Sequence, residues 1–126
     1  MSRLKIYLVE DSPVITENLI ATLEDLADAQ VVGCSATVDE AITDLTRADN
    51  DWQLAIVDIF LPKGSGFDVL AACRYREPGR HMVVLSNYAS PAVRKRSREL
   101  GADAVFDKST ELEALVAYCH AANVRA

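Results

Sequence analysis

The chain has 126 residues, 50% of them apolar and 25% charged, with a formal net charge of −6. Such a chain can bury a core of its own without disulfides or metal, and its composition excludes disorder. Its acidity argues against nonspecific binding to nucleic acid or to an anionic membrane.

No apolar run approaches the roughly 20 residues of a membrane span, and the amino terminus has no signal-peptide pattern. A cytoplasmic location is therefore expected. Cys34, Cys73 and Cys119 are far apart, odd in number and without CxxC spacing. The expectation is three buried thiols in a reducing compartment.

Residues 5–9 form a first strand that runs into Glu10-Asp11. Ser12-Pro13 then reads as a helix start, with Ser as N-cap and Pro at the first helical position. Ile15, Leu19, Leu23 and Leu26 follow at helical spacing. A second, shorter strand is predicted over 31–34. Thr37 and Glu40 fit a capping box opening a helix that turns Ala41, Ile42 and Leu45 inward. After the polar turn at 49–51, residues 54–57 are four apolar residues running into Asp58. A continuous apolar run bounded by turn residues reads as a strand buried on both faces. Pro62, Gly64 and Gly66 mark the turn beyond it. A helix is predicted over 67–76, closing at Glu77-Pro78-Gly79. A fourth strand over 82–85 ends at Ser86, and Ser90-Pro91 repeats the earlier helix start. Gly101 stands where a helix C′ glycine belongs. A short fifth strand over 104–106 ends in Asp107-Lys108. Thr110 and Glu113 fit another capping box, with Leu112, Leu115, Val116 and Cys119 on one stripe. Strand and helix alternate five times, which predicts an α/β fold: a doubly wound five-stranded parallel sheet with helices on both faces.

In an open parallel sheet, ligands bind at the carboxyl ends of the strands. Those ends carry Glu10, Asp11, Asp58, Ser86 and Lys108. Three carboxylates in one place repel, and proteins keep such clusters chiefly to hold a cation; oxygen donors in an open site suit Mg2+ better than Ca2+. One Asp could then attack a phosphoryl group while Mg2+ and Lys108 neutralise its oxygens. The alternative is that each of these residues only caps a helix or turn, which requires a coincidence at every one of these strand ends.

The chain resembles the receiver domain of two-component response regulators over nearly all its length. The resemblance rests on Glu10-Asp11, Asp58, the run Leu61-Pro62-Lys63-Gly64-Ser65-Gly66, Ser86, Gly101-Ala102-Asp103 and Lys108, in the family's order and spacing. It implies one receiver domain over 1–126 with a flavodoxin-like fold and strand order 2-1-3-4-5. It implies that Asp58 accepts a phosphoryl group from a histidine kinase or a histidine phosphotransfer protein. Asp11, Asp58 and the Phe60 carbonyl would bind Mg2+ directly, Glu10 through water, while Ser86 and Lys108 bind phosphoryl oxygens. By the same analogy the protein would phosphorylate and dephosphorylate itself rather than turn over a separate substrate. A downstream protein target could dock on the fourth helix, fifth strand and fifth helix; nucleic acid and membrane are not expected as direct partners. The sequence ends with the last helix, and no output domain is expected within it.

The chain departs from the family pattern at Ser109, where proline is usual, at Asn87, where a small residue is usual, and at Val105, which replaces the usual switch aromatic. Phe106 should point to the other face of its strand. Val105 is too short and too stiff to swing as an aromatic does, so coupling is expected through Asn87 and Tyr88 to the basic fourth helix. Arg94, Lys95, Arg96 and Arg98 of that helix read first as a solvated face, and His81 and His120 as surface residues. A phosphohydrolase with an aspartyl intermediate would want an acid where Phe60 stands, and a dinucleotide-binding domain would want G-x-G-x-x-G after the first strand. A receiver-like docking module that works without phosphorylation is the remaining alternative.

Overall fold

The structure is a computed structural model that describes residues 3–125. Five parallel strands make the main sheet: β1 (Leu4–Val9), β2 (Ala29–Ser35), β3 (Leu54–Val57), β6 (His81–Ser86) and β7 (Ala104–Asp107), in the order β2-β1-β3-β6-β7. This is the expected 2-1-3-4-5 order once the extra hairpin strands β4 (Phe60–Leu61) and β5 (Gly64–Ser65) are set aside. The helices are α1 (Pro13–Leu26), α2 (Val38–Thr46), α3 (Gly66–Ala72), α4 (Pro91–Glu99) and α5 (Leu112–Arg125).

Alternation along each strand divides the core into two layers. Leu4, Ile6, Leu8, Leu54, Ile56, Val83, Leu85 and Phe106 pack with Leu19 and Leu23 of α1 and with Leu115 and Cys119 of α5. Tyr7, Val9, Ala55, Val57, Met82, Val84 and Val105 pack with Ala41 and Leu45 of α2 and Val69 and Leu70 of α3. Val105 and Phe106 therefore face opposite layers, as expected. The chain leaves β1 toward one edge of the sheet and returns at β3 toward the other. That reversal opens a crevice at the carboxyl ends of β1 and β3.

The capping chemistry is mostly where the sequence puts it. Ser12 and Ser90 accept the Ile15 and Val93 amides at 3.3 and 3.2 Å, each followed by proline in the first turn. Thr37 accepts the Glu40 amide at 3.3 Å. Gly101, at φ +102°, ends α4 with its own amide on the Arg98 carbonyl and the Ala102 amide on that of Ser97. That pair of bonds is a Schellman motif.

Several expectations need correction. Leu26 is 61% exposed, because α1 has turned it past the sheet by its last turn. Cys34 is exposed on the edge strand β2, so only Cys73 and Cys119 are buried thiols; burial pushes Cys119 up to about 12. The third helix ends at Ala72 rather than 76 and starts from an unforeseen capping box between Ser65 and Asp68. The last helix begins at Leu112, one residue later than a Thr110 cap requires. His81 is half-buried, its Nδ1 3.1 Å from the Tyr118 hydroxyl, whereas His120 is exposed as expected. Among the described residues, no helix is long and apolar enough to cross a membrane.

Candidate functional site

The last strand residues of β1 and β3, Val9 and Val57, lie side by side in register, so the residues that follow emerge together. Backbone bonds carry this alignment past the strand ends: the Asp58 amide donates to the Val9 carbonyl and the Glu10 amide to that of Ser35, both at 3.0 Å. Glu10 and Asp58 are buried and Asp11 is exposed. One oxygen from each of the three lies within 4.8 Å of the others.

Lys108 enters from the end of β7. Its amide donates to the Ser86 carbonyl at 3.0 Å. Its ammonium donates to Asp58 Oδ2 at 3.0 Å and to Glu10 Oε1. Burial alone would lower this ammonium, but the hydrogen bonds and charges of Glu10 and Asp58 outweigh burial and raise it. The other oxygens are aimed by backbone: Glu10 Oε2 accepts the Ser12 amide at 3.0 Å and Asp58 Oδ1 the Phe60 amide at 3.3 Å. Asp11 has no counter-charge among the described residues. Three carboxylates thus face one ammonium that reaches only two of them. The donor set is all oxygen, open to solvent on the Asp11 side and under-neutralised, which fits a hard divalent cation.

The loops around the cluster are built for close approach. A Cβ on Gly66 would lie 2.1 Å from the Asp58 carbonyl oxygen, a backbone atom that cannot swing aside. Glycine is required there because α3 starts directly against the residue that follows β3. Lys63, at φ +56°, closes the β4–β5 hairpin through Pro62. Beyond Lys108, Asp107 Oδ1 accepts the Ser109 amide at 2.8 Å and its hydroxyl at 2.6 Å. Those two bonds hold the Asp107 carboxyl below the usual range and fix the turn that proline would otherwise restrain.

Not every expected residue enters the cleft. The opening, about 200 Å³, is lined by Asp11, Asp58, Phe60, Asn87, Tyr88 and Lys108. Ser86 is fully buried behind it, and its hydroxyl accepts the Tyr88 amide at 3.2 Å rather than touching Asp58 or Lys108. Phe60 and Tyr88, 54% and 68% exposed, stack edge to face at 5.3 Å beside the opening. Arg94, expected on a solvated face, is instead half-buried and bonded to Ala89, Val105 and Glu111. No short-range pattern announces that contact, since its acidic partner lies 17 residues away.

The family model described as "Response regulator receiver domain" matches residues 6–120. A protein-glutamate methylesterase/protein-glutamine glutaminase of Syntrophus aciditrophicus is 33% identical over 83% of this chain and 30% of its own length. A probable transcriptional regulatory protein of a Picosynechococcus species is 31% identical over 95% of this chain and 49% of its own length. The chain thus spans less than half of each of these relatives. Among solved structures, a CheY-like response regulator receiver domain protein from Methanospirillum hungatei is 25% identical with a TM-score of 0.77. That match covers 99% of this chain and all of the other.

Proposed function

The chain belongs to the response-regulator receiver family, whose function is phosphorylation-based switching, and on that footing we propose that Asp58 is its phosphoacceptor. The observation that carries this is the crowding of Glu10, Asp11 and Asp58 around the single ammonium of Lys108. The donor is a phosphohistidine on a kinase or phosphotransfer protein. An Asp58 carboxylate oxygen forms the new O–P bond as the P–N bond breaks, and the imidazole keeps the electron pair and takes up a proton. Lys108, already 3.0 Å from Asp58 Oδ2, meets the added negative charge. The Phe60 amide on Oδ1 holds the carboxylate plane during attack. Asp11, Asp58 and the Phe60 carbonyl are the residues that would hold Mg2+, with Glu10 behind them. When bound, the ion would neutralise phosphoryl oxygens in the transition state. Ser86 becomes a phosphoryl ligand only after its hydroxyl leaves the Tyr88 amide.

A downstream protein is the expected target, docking near α4, β7 and α5. The relative from Picosynechococcus is named as a transcriptional regulator, yet the net charge of −6 supports no direct contact of this segment with DNA. Incubation with acetyl phosphate and Mg2+ tests the chemistry by intact mass. One phosphoryl group should be added, and none in Asp58→Asn or in the presence of a chelator. Uptake that persists without Asp58 contradicts the assignment.

A further inference from the structure

Among the described residues, α4 is the helix with the fewest buried side chains. Its only buried residue is Ser97, whose hydroxyl has no hydrogen-bond partner among the described residues. Val93 and Leu100 pack against the core only in part. Beyond the Ser90 cap on the Val93 amide, one side chain ties its first turn to the neighbouring elements. Arg94 donates Nε to the Ala89 carbonyl at 2.9 Å, Nη1 to the Val105 carbonyl at 3.1 Å and Nη2 to Glu111 Oε1 at 2.5 Å. A single planar guanidinium therefore joins the loop after β6, the strand β7 and the start of α5. Glu111 is itself held in place, because the same oxygen accepts the Asp107 amide at 3.0 Å.

The loop that Arg94 grips is the one whose conformation Ser86 sets. Ser86 Oγ accepts the Tyr88 amide, and Ala89 is the next residue. Ser86 Oγ bonds neither Asp58 nor Lys108, so to donate to a phosphoryl oxygen its side chain has to turn from that amide toward the cleft. Val105 supplies only its backbone carbonyl to Arg94; its own side chain is 4% exposed and locked in the core. Taking Asp58 as phosphoacceptor, we propose that Arg94 is the coupling residue of this chain, doing by hydrogen bonds what a swinging aromatic at position 105 would do by packing. Movement of Ser86 frees the loop, the Ala89 carbonyl leaves the guanidinium, and the first turn of α4 loosens from β7 and α5. The two states then differ in how α4 is presented, which is what a partner must sense.

Amide hydrogen exchange on the full chain, with and without acetyl phosphate and Mg2+, reads this directly. In the wild type, phosphorylation should speed exchange of the amides of residues 94–97 by about tenfold, the effect of losing one charge-assisted bond. Arg94→Lys leaves a charge but no fork to bridge three acceptors, so these amides should start fast and gain less than about twofold. Glu111→Gln keeps an acceptor for the Asp107 amide and should fall between. All three proteins should take up one phosphoryl group by intact mass. A merely structural Arg94 would raise exchange equally in both states and preserve the tenfold step, which overturns the proposal. A wild type that is phosphorylated with no change in α4 overturns it too and leaves Asp58 as phosphoacceptor. A wild type that takes up no phosphoryl group removes both.

Discussion

The two ends of the parallel sheet hold charges in opposite balance. At the amino-terminal end, two guanidiniums are matched by acceptors. The Arg76 guanidinium is bonded to the carbonyls of Cys73, Arg80 and Gly101 and to Asp103, whose carboxylate also accepts the Met82 amide at 2.9 Å. Arg80 lies 4.6 Å over the buried Trp52 ring and donates to the Asn50 carbonyl. At the carboxyl end, Glu10, Asp11 and Asp58 share one ammonium, and Asp11 is left over. Both guanidiniums of the first end have acceptors; the second end keeps an excess of acceptors. One pole ties loops together, and the other is held under repulsion that a cation would relieve.

That contrast can be broken most visibly at the amino-terminal pole. Arg76→Ala should cost about 2–3 kcal/mol in urea unfolding, since it leaves three part-buried loop carbonyls without their donor and removes the partner of the exposed Asp103. Phosphoryl uptake at the far end should continue. Loss of uptake in a folded Arg76→Ala protein would mean that the poles are not independent.

At the other pole the expected effects are smaller and opposite in sign. Mg2+ at ten times its dissociation constant should stabilise the folded chain by about 1.4 kcal/mol. Melting curves with and without the ion provide the check, and no shift at millimolar Mg2+ would count against the cluster as a cation site. Asp11→Asn should raise the stability of the metal-free protein by about 0.5–1 kcal/mol by removing the unpaired charge, and should also weaken the response to Mg2+. A variant that loses stability without metal would show that Asp11 is not under repulsion. Smallest is Ser97→Ala, which removes a buried hydroxyl with no partner and should be neutral or stabilising by up to about 1 kcal/mol. A destabilised Ser97→Ala would mean that α4 is seated more firmly than its burial indicates.

What could be read before folding follows from how far apart the interacting residues lie in the chain. The five main strands and their helices were legible because apolar runs, N-cap serines before proline and the Gly101 terminus are local signals. The end-of-strand cluster was legible too, since a parallel sheet sends every strand's carboxyl end to the same edge. The β4–β5 hairpin was not, because two-residue strands are too short to show a period. Gly64 and Gly66 read as a loop and hid the cap that Ser65 makes. Leu26 continued a helical stripe whose last member had already passed the edge of the core. Arg94 sits in a run of four basic residues that reads as solvent-facing, and only the approach of Glu111 and two carbonyls shows otherwise. Ser86 was placed at the right strand end, but the bond that turns its hydroxyl toward Tyr88 depends on a loop conformation.

The carboxylate of the cluster that forms the acyl phosphate can be identified directly. Reduction of the phosphorylated chain with borohydride converts that group to an alcohol, and an aspartyl phosphate to homoserine, whose position peptide mass analysis then reads. The modified residue should be at position 58 alone. Reduction at Glu10 or Asp11, or at a residue outside the cluster, would contradict it.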